Sequence, residues 1–460
     1  MTSTTHRTAA EIGRTVLGAR PVPVLGEQRA PGELSHVDTV LGNGLRVLAV
    51  RKANVPMVEL RLRIPFGGTE ALHAATAEVL AETILTGTAR RDRIAIDTEL
   101  ALIGGELSTS VDPERLAFNG SALSSGLPTL LEVLADSLTS ASYVDGEVHR
   151  EAARLVERLA VSRTQPRVIA REALLKHCYG EHPATREMPQ PDDVTKVTPE
   201  AVRALHGTAV LPRGSVLVLV GDIDPDQALG QIETALRGWE SAEAARTLLT
   251  LPELSGGDAL LVPRAGAVQS QIRLVAQALT RTDPRYPALQ LANLAYGGYF
   301  SSRLVENIRE DKGYTYSAHS GFEFTGSLAT LGVDADTANE VTAAAVLETR
   351  YELGRLAMVP PDDAEIESVR QYAVGSLVIG TSSQAGLAGQ LSALAVTGLG
   401  AEWLAEHPDR LAAVTADEVA QAALDFFAPS RFTGVVVGDA ESLASKLAAL
   451  GGFTVGEAAA

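Results

Sequence analysis

The sequence predicts an α+β fold built from two similar domains, each a mostly antiparallel sheet packed with helices. An internal repeat is the first observation: VTPEAVRALHGTAVLPRGSVLVLVGDID in the first half is similar to VTADEVAQAALDFFAPSRFTGVVVGDAE in the second. Two pairs of corresponding residues are each separated by 217 positions. One pair is Thr198 and Thr415, near the start of the segments, and the other is Gly221 and Gly438, at the end of the apolar runs. Chance rarely preserves two such spacings, so the chain consists of two related halves.

Each repeated segment predicts a helix followed by a buried strand. Thr198 and Thr415 are favoured N-cap residues, and Thr415 with Glu418 has the spacing of a capping box. Pro199 suits the first turn of a helix. Each helix then leads through a proline-containing loop to a run of β-branched residues that ends in Gly-Asp.

Alternating segments near the start of each half predict a second pair of matching strands. VPMVELRLRIPFGG, from Val55, and AVQSQIRLVAQAL, from Ala267, alternate apolar and polar residues as half-buried strands do. Helices are predicted to follow at about 74–85 and 286–296. A further helix is predicted from leucines at helical spacing, namely Leu127, Leu130, Leu131, Leu134 and Leu138.

These elements suggest four regions along the chain. Residues 1–35 form an N-terminal extended arm, whose three prolines oppose helix formation. Two domains follow at 36–240 and 258–455. The segment between them, 241–257, is a linker that ends near a Gly-Gly pair.

Composition limits the classes of function. The chain has 460 residues, 45% of them hydrophobic and 21% charged, as expected for a soluble globular protein with more than one core. Its formal net charge is −18 and its pI about 5.0. Nucleic-acid binding needs a concentrated basic surface, and no basic stripe is present, so a nucleic-acid partner is excluded.

Cysteine usage and hydropathy predict a cytoplasmic protein. Cys178 is the only cysteine, so no internal disulfide can form, as is usual in a reducing compartment. The first residues lack the long apolar run of a secretory signal. No segment approaches the roughly 20 apolar residues of a membrane span, and we expect no membrane partner.

The segment SSRLVENIREDKGYTYSAHSGFEF carries the strongest functional signal. A helix is predicted to run from its start to just before Gly313, a favoured residue at helix C-termini, and a strand to begin at Tyr314. Arg309 in the last turn and Tyr316 in the strand can then point into one cleft. The alternative is structural: Arg309 stabilises the helix C-terminus and Tyr316 belongs to the core.

This segment resembles the substrate-clamping segment of the insulinase/pitrilysin family of zinc metallopeptidases. Other segments occur in the order that the family shows, over nearly the whole chain beyond the arm: NGLRVLAV, ETILTGT, GG-L, GSLVIG and VVVGD. The resemblance implies two homologous insulinase-like domains, of the kind found in mitochondrial processing peptidase. It also implies that Arg309 and Tyr316 bind the peptide substrate and stabilise the transition state.

The resemblance further implies that this chain has lost its zinc site. The family signature is His-x-x-Glu-His, in which two imidazoles four residues apart bind Zn²⁺ and the Glu polarises its water. At the family spacing, these positions are Glu78, Ala81 and Glu82, and the third ligand position is Arg158, with Glu157 as the alternative. No imidazole remains and Ala81 cannot act as a base. We expect no metal or other cofactor here, and prefer a salt-bridged helix face to a Ca²⁺ or Mg²⁺ site.

Two other groups of residues have weaker functional interpretations. HCYGEHP places His177, Cys178, Glu181 and His182 close together, like a metal cluster. The family has a similar turn there without a metal, so a structural turn is preferred. Gly297–Gly298 before the SSRL helix is compatible with phosphate binding, but no Walker lysine follows, and backbone geometry is the preferred explanation.

The resemblance implies a role within a two-chain peptidase. Bacterial family members often form heterodimers in which one subunit holds zinc and the other supplies the Arg/Tyr pair. We therefore predict a non-catalytic subunit, inactive alone, that pairs with a homologous zinc-bearing subunit and binds unfolded peptide. One alternative is a structural or peptide-binding core-type subunit without a role in catalysis. Another is a self-sufficient peptidase with an unrecognised site.

Overall fold

The structure, a computed structural model, describes residues 34–326 and 328–457. Both halves mix strands and helices. The strands of the first half are β1 (His36–Val40), β2 (Arg46–Arg51), β3 (Met57–Pro65), β4 (Glu106–Val111), β5 (Arg115–Leu123) and β6 (Val216–Gly221). Its helices are α1 (His73–Thr83), α2 (Arg93–Leu102), α3 (Leu127–Ser140), α4 (Asp145–Ser162), α5 (Pro166–Tyr179), α6 (Pro191–Val194), α7 (Pro199–Ala209) and α8 (Pro225–Ala235).

The second half repeats this organisation with more helices. Its strands are β7 (Ala259–Pro263), β8 (Gln269–Ala278), β9 (Thr315–Phe324), β10 (Ala329–Ala338), β11 (Thr433–Gly438) and β12 (Phe453–Val455). Its α-helices are α9 (Tyr286–Asn293), α10 (Arg303–Val305), α11 (Asn339–Met358), α12 (Asp363–Gly380), α13 (Gln384–Ala395), α14 (Ala401–Ala413), α15 (Ala416–Phe426) and α16 (Ala440–Leu450). Two π-helical turns lie at Leu294–Gly298 and Glu306–Asp311.

Each half contains a six-stranded sheet, and the two sheets have related strand orders. The orders are β1-β2-β6-β3-β5-β4 and β12-β7-β11-β8-β10-β9. The repeated sequence segments form equivalent central strands, β6 and β11, beside the equivalent long strands β3 and β8. The predicted α+β class with mostly antiparallel pairing is therefore confirmed. Parallel pairs β2–β6, β7–β11 and β7–β12 make both sheets mixed.

The helix starts predicted from the repeat are confirmed by their capping bonds. The Thr198 side chain accepts a hydrogen bond from the backbone N–H of Ala201 at the start of α7. Thr415 and Glu418 form the full reciprocal capping box of α15. Such caps satisfy backbone N–H groups that have no partner inside the helix, which specifies where each helix begins.

Helices exchanged between the halves join them into one compact unit from Leu34 onward. Helix α13 of the second half packs on the first sheet, and helix α5 of the first half packs on the second sheet. The first contact contains Leu48, Val50, Val216, Val218, Val220, Leu387, Leu391 and Leu394. The second contains Ala170, Leu174, Val262, Val275, Val435 and Val437. Neither sheet is covered on both faces by its own half alone.

Polar bonds between the halves supplement this apolar packing. The carboxylate of Glu114 accepts a bond from the backbone N–H of Gly326 at 2.8 Å. Arg171 on α5 donates to Glu323 on β9 at 2.8 Å. Residues 241–257, the predicted linker, contain no helix or strand. The predicted arm lies almost entirely outside the described residues.

Two predicted helices differ from the structure. The helix predicted at about 286–296 is α-helical only to Asn293 and continues as a π-helical turn. The sequence predicts a continuous α-helix from the SSRL segment to just before Gly313, but α10 ends at Val305 and continues as a π-helical turn. The backbone N–H of Lys312 bonds to the carbonyl of Asn307, five residues back. Gly313 has φ +63° and ends this widened turn, as predicted. Within 34–326 and 328–457, no helix is both long and apolar enough to span a bilayer.

Candidate functional site

The residues at the predicted zinc positions lie on α1, where Arg158 of α4 meets them. Nη2 of Arg158 donates to Oε1 of Glu82 at 2.7 Å. Ala81 is 4% exposed, and its carbonyl accepts a bond from the Thr109 hydroxyl of β4 at 2.5 Å. These contacts bring the Glu82 and Arg158 positions together, and the carboxylate of Glu82 already has a cationic partner.

Glu78 lies one helical turn before Glu82, and its side chain is partly buried. Burial raises the pKa of Glu78 to about 7, and the negative charge of Glu82 acts in the same direction, while Arg158 opposes the shift. The side chain lines a pocket beside α1, together with His73, Asp112, Arg186 and Glu187. This shift favours the neutral form of the Glu78 carboxyl group.

These side chains do not fit the zinc ion that the family implies. The helix positions hold two carboxylates four residues apart, and the third position holds a guanidinium that is bonded to one of them. His73, on the same helix, lines the pocket with Glu78, and burial lowers its pKa. Throughout 34–326 and 328–457, no group of three or more His, Cys, Asp or Glu side chains is arranged to hold a metal.

We refer to Arg309 and Tyr316 as the clamp. Arg309 lies in the π-helical turn that follows α10, and Tyr316 is the second residue of β9, so both lie around the turn at Gly313. Tyr316 is 95% exposed. The alternative in which Tyr316 belongs to the core is therefore wrong, and Tyr314, which packs against the second-half core, takes that role.

Contacts around Arg309 hold its guanidinium near an aromatic ring. The guanidinium carbon lies 4.8 Å from the centroid of the Phe300 ring, and Nε lies 3.2 Å from Oε1 of Glu310. Phe300 is itself 57% exposed. The contact of Phe300 with Arg309 is not predictable from the sequence, because it depends on how the chain turns between Phe300 and α10, and no periodic pattern indicates it.

Among the described residues, the strand that carries Tyr316 lies at the edge of its sheet. β9 is the last strand of the second sheet, and β4 has the equivalent position in the first. An edge strand presents backbone N–H and C=O groups on its outer side, and extended peptides can pair with such an edge. β4 is also bonded to α1 through the Thr109 hydroxyl. Alternation in the sequence predicts strands, but it does not show which strands lie at an edge.

The HCYGEHP segment forms a contact between the halves. Nε2 of His177 lies 2.9 Å from the hydroxyl of Thr433 and 3.1 Å from the carbonyl of Asp258. Burial raises the pKa of Cys178 to about 11, so the thiol is not activated as a nucleophile. Glu181 lies 3.9 Å from Lys176. These contacts assign the segment a structural role.

Gly297–Gly298 lies in the first π-helical turn. A Cβ at Gly297 would lie 2.8 Å from the Ser320 hydroxyl, and one at Gly298 would lie 2.9 Å from the Asn293 side chain. Gly297 allows close packing against β9 and Gly298 against the end of α9, as the backbone explanation predicts.

Comparisons with known proteins agree with this geometry. Residues 46–192 match the family described as insulinase, peptidase family M16, and residues 196–372 match the peptidase M16 inactive domain. An uncharacterized zinc protease of Streptomyces coelicolor is 24% identical over 437 residues, which is 92% of this chain and 94% of that protein. An uncharacterized zinc protease of Mycobacterium leprae is 24% identical over 67% of this chain and 70% of its own.

Solved structures share the fold. A peptidase M16 inactive domain from Pseudomonas fluorescens superposes with a TM-score of 0.78 at 21% identity, covering 88% of this chain and 98% of that one. A protease from Helicobacter pylori has a TM-score of 0.81 at 17% identity, covering 88% and 99%. Together the two M16 matches span both halves in the family's order, and this chain belongs to peptidase family M16, the insulinase family.

Proposed function

We propose that this protein is the non-catalytic subunit of a heterodimeric zinc metalloendopeptidase. It lacks zinc, and it supplies Arg309 and Tyr316 in trans to an active site on a homologous, zinc-bearing partner. The substrate is an unfolded peptide. The observation that carries this proposal is the combination of an exposed Tyr316 with Arg158 bonded to Glu82 at the former ligand positions.

The clamp residues have the chemistry that peptide hydrolysis requires. Attack on a peptide carbonyl places negative charge on its oxygen, and fixed hydrogen-bond donors stabilise that charge. The guanidinium of Arg309 and the hydroxyl of Tyr316 are such donors. The partner's zinc would activate the attacking water. The outer edge of β9 offers main-chain groups to an extended substrate.

The exposure of the clamp favours a binding role over a packing role. A tyrosine that is 95% exposed contributes little to the core, and Arg309 has only the adjacent Glu310 as an ion-pair partner among the described residues. Tyr316 is thus available to a second chain or to a peptide. The side chain of Arg309 is partly exposed.

A structural or peptide-binding subunit without a role in catalysis is the second candidate. It is favoured by the match to the M16 inactive domain over residues 196–372. This candidate needs the fold and the partner interface, but not the clamp. A third candidate, a peptidase that acts alone, requires stoichiometric metal on the purified chain and loss of cleavage on chelation.

Reconstitution separates these candidates. The purified chain would be assayed alone and mixed with its most similar zinc-bearing homologue from the same organism, with peptide cleavage followed by mass spectrometry and metal measured on each chain. We expect cleavage only in the mixture, and zinc only on the partner. A stable complex in which the partner cleaves equally well without this chain would contradict the proposal and support the structural candidate.

A further inference from the structure

A second pocket lies at the ends of β8 and β9, away from the clamp end of β9. Its lining includes Thr280, Arg281, Thr282, Phe324, Thr325 and Thr397. The space, including its open mouth, is about 590 Å³. One guanidinium and several hydroxyl groups therefore face the same space, and no acidic side chain is part of the lining.

Arg281 is the charged group of this pocket. Its guanidinium carbon lies 3.6 Å from the centroid of the Phe324 ring. Across 34–326 and 328–457, no carboxylate lies within ion-pair distance of Arg281, whereas its neighbour Arg285 pairs with Asp283 at 2.9 Å. Partial burial lowers the pKa of Arg281, although the Tyr286 hydroxyl opposes this shift. A partly buried charge without an opposite charge is unfavourable.

Stacking on Phe324 uses the flat face of the Arg281 guanidinium group, and the Tyr286 hydroxyl lies beside its N–H groups, of which there are five. A guanidinium donates hydrogen bonds in its own plane, and its flat face can meanwhile rest on an aromatic ring. The Thr280 and Thr282 hydroxyls lie 2.9 Å apart. Because one of them donates to the other, the second keeps a free O–H donor. The pocket thus offers charged and neutral donors together.

The neighbouring polar groups already have hydrogen-bond partners, Glu114 as an acceptor and Thr397 as a donor. Both oxygens of Glu114 accept bonds from the backbone N–H of Gly326, at 2.8 and 3.0 Å, and burial raises the pKa of Glu114. The Thr397 hydroxyl donates to the Leu394 carbonyl at 2.8 Å. Neither group neutralises Arg281, so an external acceptor is the missing component.

From these contacts we infer that the Arg281 pocket binds a small oxyanion, a carboxylate or a phosphate group. Arginine forms paired, charge-assisted hydrogen bonds with both groups. The carboxylate would be the C-terminus of a peptide, and the phosphate a free ion. This site goes beyond the proposed function, because it depends neither on a zinc-bearing partner nor on the clamp.

Calorimetric titration of the whole purified chain tests this site. The probes are inorganic phosphate, and one peptide prepared with either a free carboxylate or an amide at its C-terminus. We expect saturable binding of phosphate or of the free-acid peptide, weakened about tenfold or more by Arg281→Gln. Arg281→Lys would retain part of the affinity, and the matched Arg285→Gln variant would bind as the unchanged chain does.

Comparing the probes identifies the source of the anion. Preference for the free-acid peptide over its amide indicates a peptide terminus, and preference for phosphate indicates the ion. Thr282→Val, at an exposed position, provides a second test if Arg281→Gln fails to fold, and a loss of affinity is expected. The inference would be overturned if no probe bound saturably, or if the variants kept full affinity. It would also be overturned if the acid and amide peptides bound equally and phosphate did not bind.

Discussion

Arg158 and Glu82 form an ion pair between α4 and α1, with Nη2 of Arg158 2.7 Å from Oε1 of Glu82. The family resemblance implies that these two positions correspond to zinc ligands. On that hypothesis, a cation bonded to a carboxylate stands where two ligands would bind a metal, and both arrangements would join the same helices.

This relationship predicts that zinc binding can be restored. The variant Glu78→His, Ala81→Glu, Glu82→His and Arg158→Glu should bind one zinc ion per chain, because imidazoles four residues apart share a helix face and Arg158 lies within reach of it. Metal analysis after dialysis would measure this. The variant that keeps Arg158 is the control and should hold less zinc. A folded fourfold variant without zinc would show that the positions do not converge.

Removing the clamp should impair catalysis without affecting stability. In the reconstituted pair, Arg309→Ala and Tyr316→Phe should each lower kcat about 100-fold, as loss of an oxyanion donor typically does. The midpoint of urea unfolding should stay unchanged, because Tyr316 is exposed. Tyr351→Phe, at another exposed tyrosine, and Arg285→Ala serve as controls. Full activity of both clamp variants would refute the catalytic role.

The partly buried carboxyl of Glu78 predicts a pH-dependent effect on stability. Its pKa is raised to about 7 in the folded state, so its ionisation costs folding free energy as pH rises from the unfolded-state value through 7. Glu78→Gln should therefore be more stable than the unchanged chain at pH 8, by about 3 kcal/mol.

The same comparison at low pH provides the control for Glu78. Near pH 4.5 the carboxyl is protonated in the folded state and resembles the amide, so the difference should nearly vanish. Urea unfolding at both pH values measures it, and other titrating groups cancel between the two proteins. An equal difference at both pH values would mean that packing, rather than charge, is responsible.

The exchanged helices predict that the two halves unfold together. Leu391→Ala on α13 removes a fully buried side chain from the first sheet's outer face and should destabilise the protein by about 2–5 kcal/mol. Leu424→Ala, at a half-exposed leucine of α15, should cost less than about 1 kcal/mol. Calorimetry should show one transition in each variant. Two separated transitions in the Leu391→Ala variant would indicate that the halves fold independently.

Much of the fold could be predicted from the sequence because its signals are local. Thr415 and Glu418 specify where α15 begins, through bonds within four residues. The repeated Gly221 and Gly438 mark the ends of equivalent strands, and the paired spacings indicate two related halves. The alternation of apolar and polar residues in β3 and β8 is likewise local, because it depends only on which side chains of each strand face the core.

The site was only partly predictable. The position of Tyr316 after the turn at Gly313 was visible in the sequence, but its exposure was not, since a tyrosine in a strand suits a core equally well. The pairing of Arg158 with Glu82 joins residues of two helices, and helical periodicity cannot indicate which helices meet. The same holds for Phe300 beneath Arg309.

The sequence by itself determined the local elements, their repeat and the absence of histidine at positions 78, 81 and 82. Only the tertiary structure decided that α13 covers the sheet of the other half, that Arg158 neutralises Glu82, and that Arg281 is left without an acidic partner in the described part of the chain. Local patterns report which face of a helix or strand is apolar, because that depends on residue spacing. Which surface or charge meets that face depends on contacts between residues far apart in the chain, and these form only when the whole unit packs.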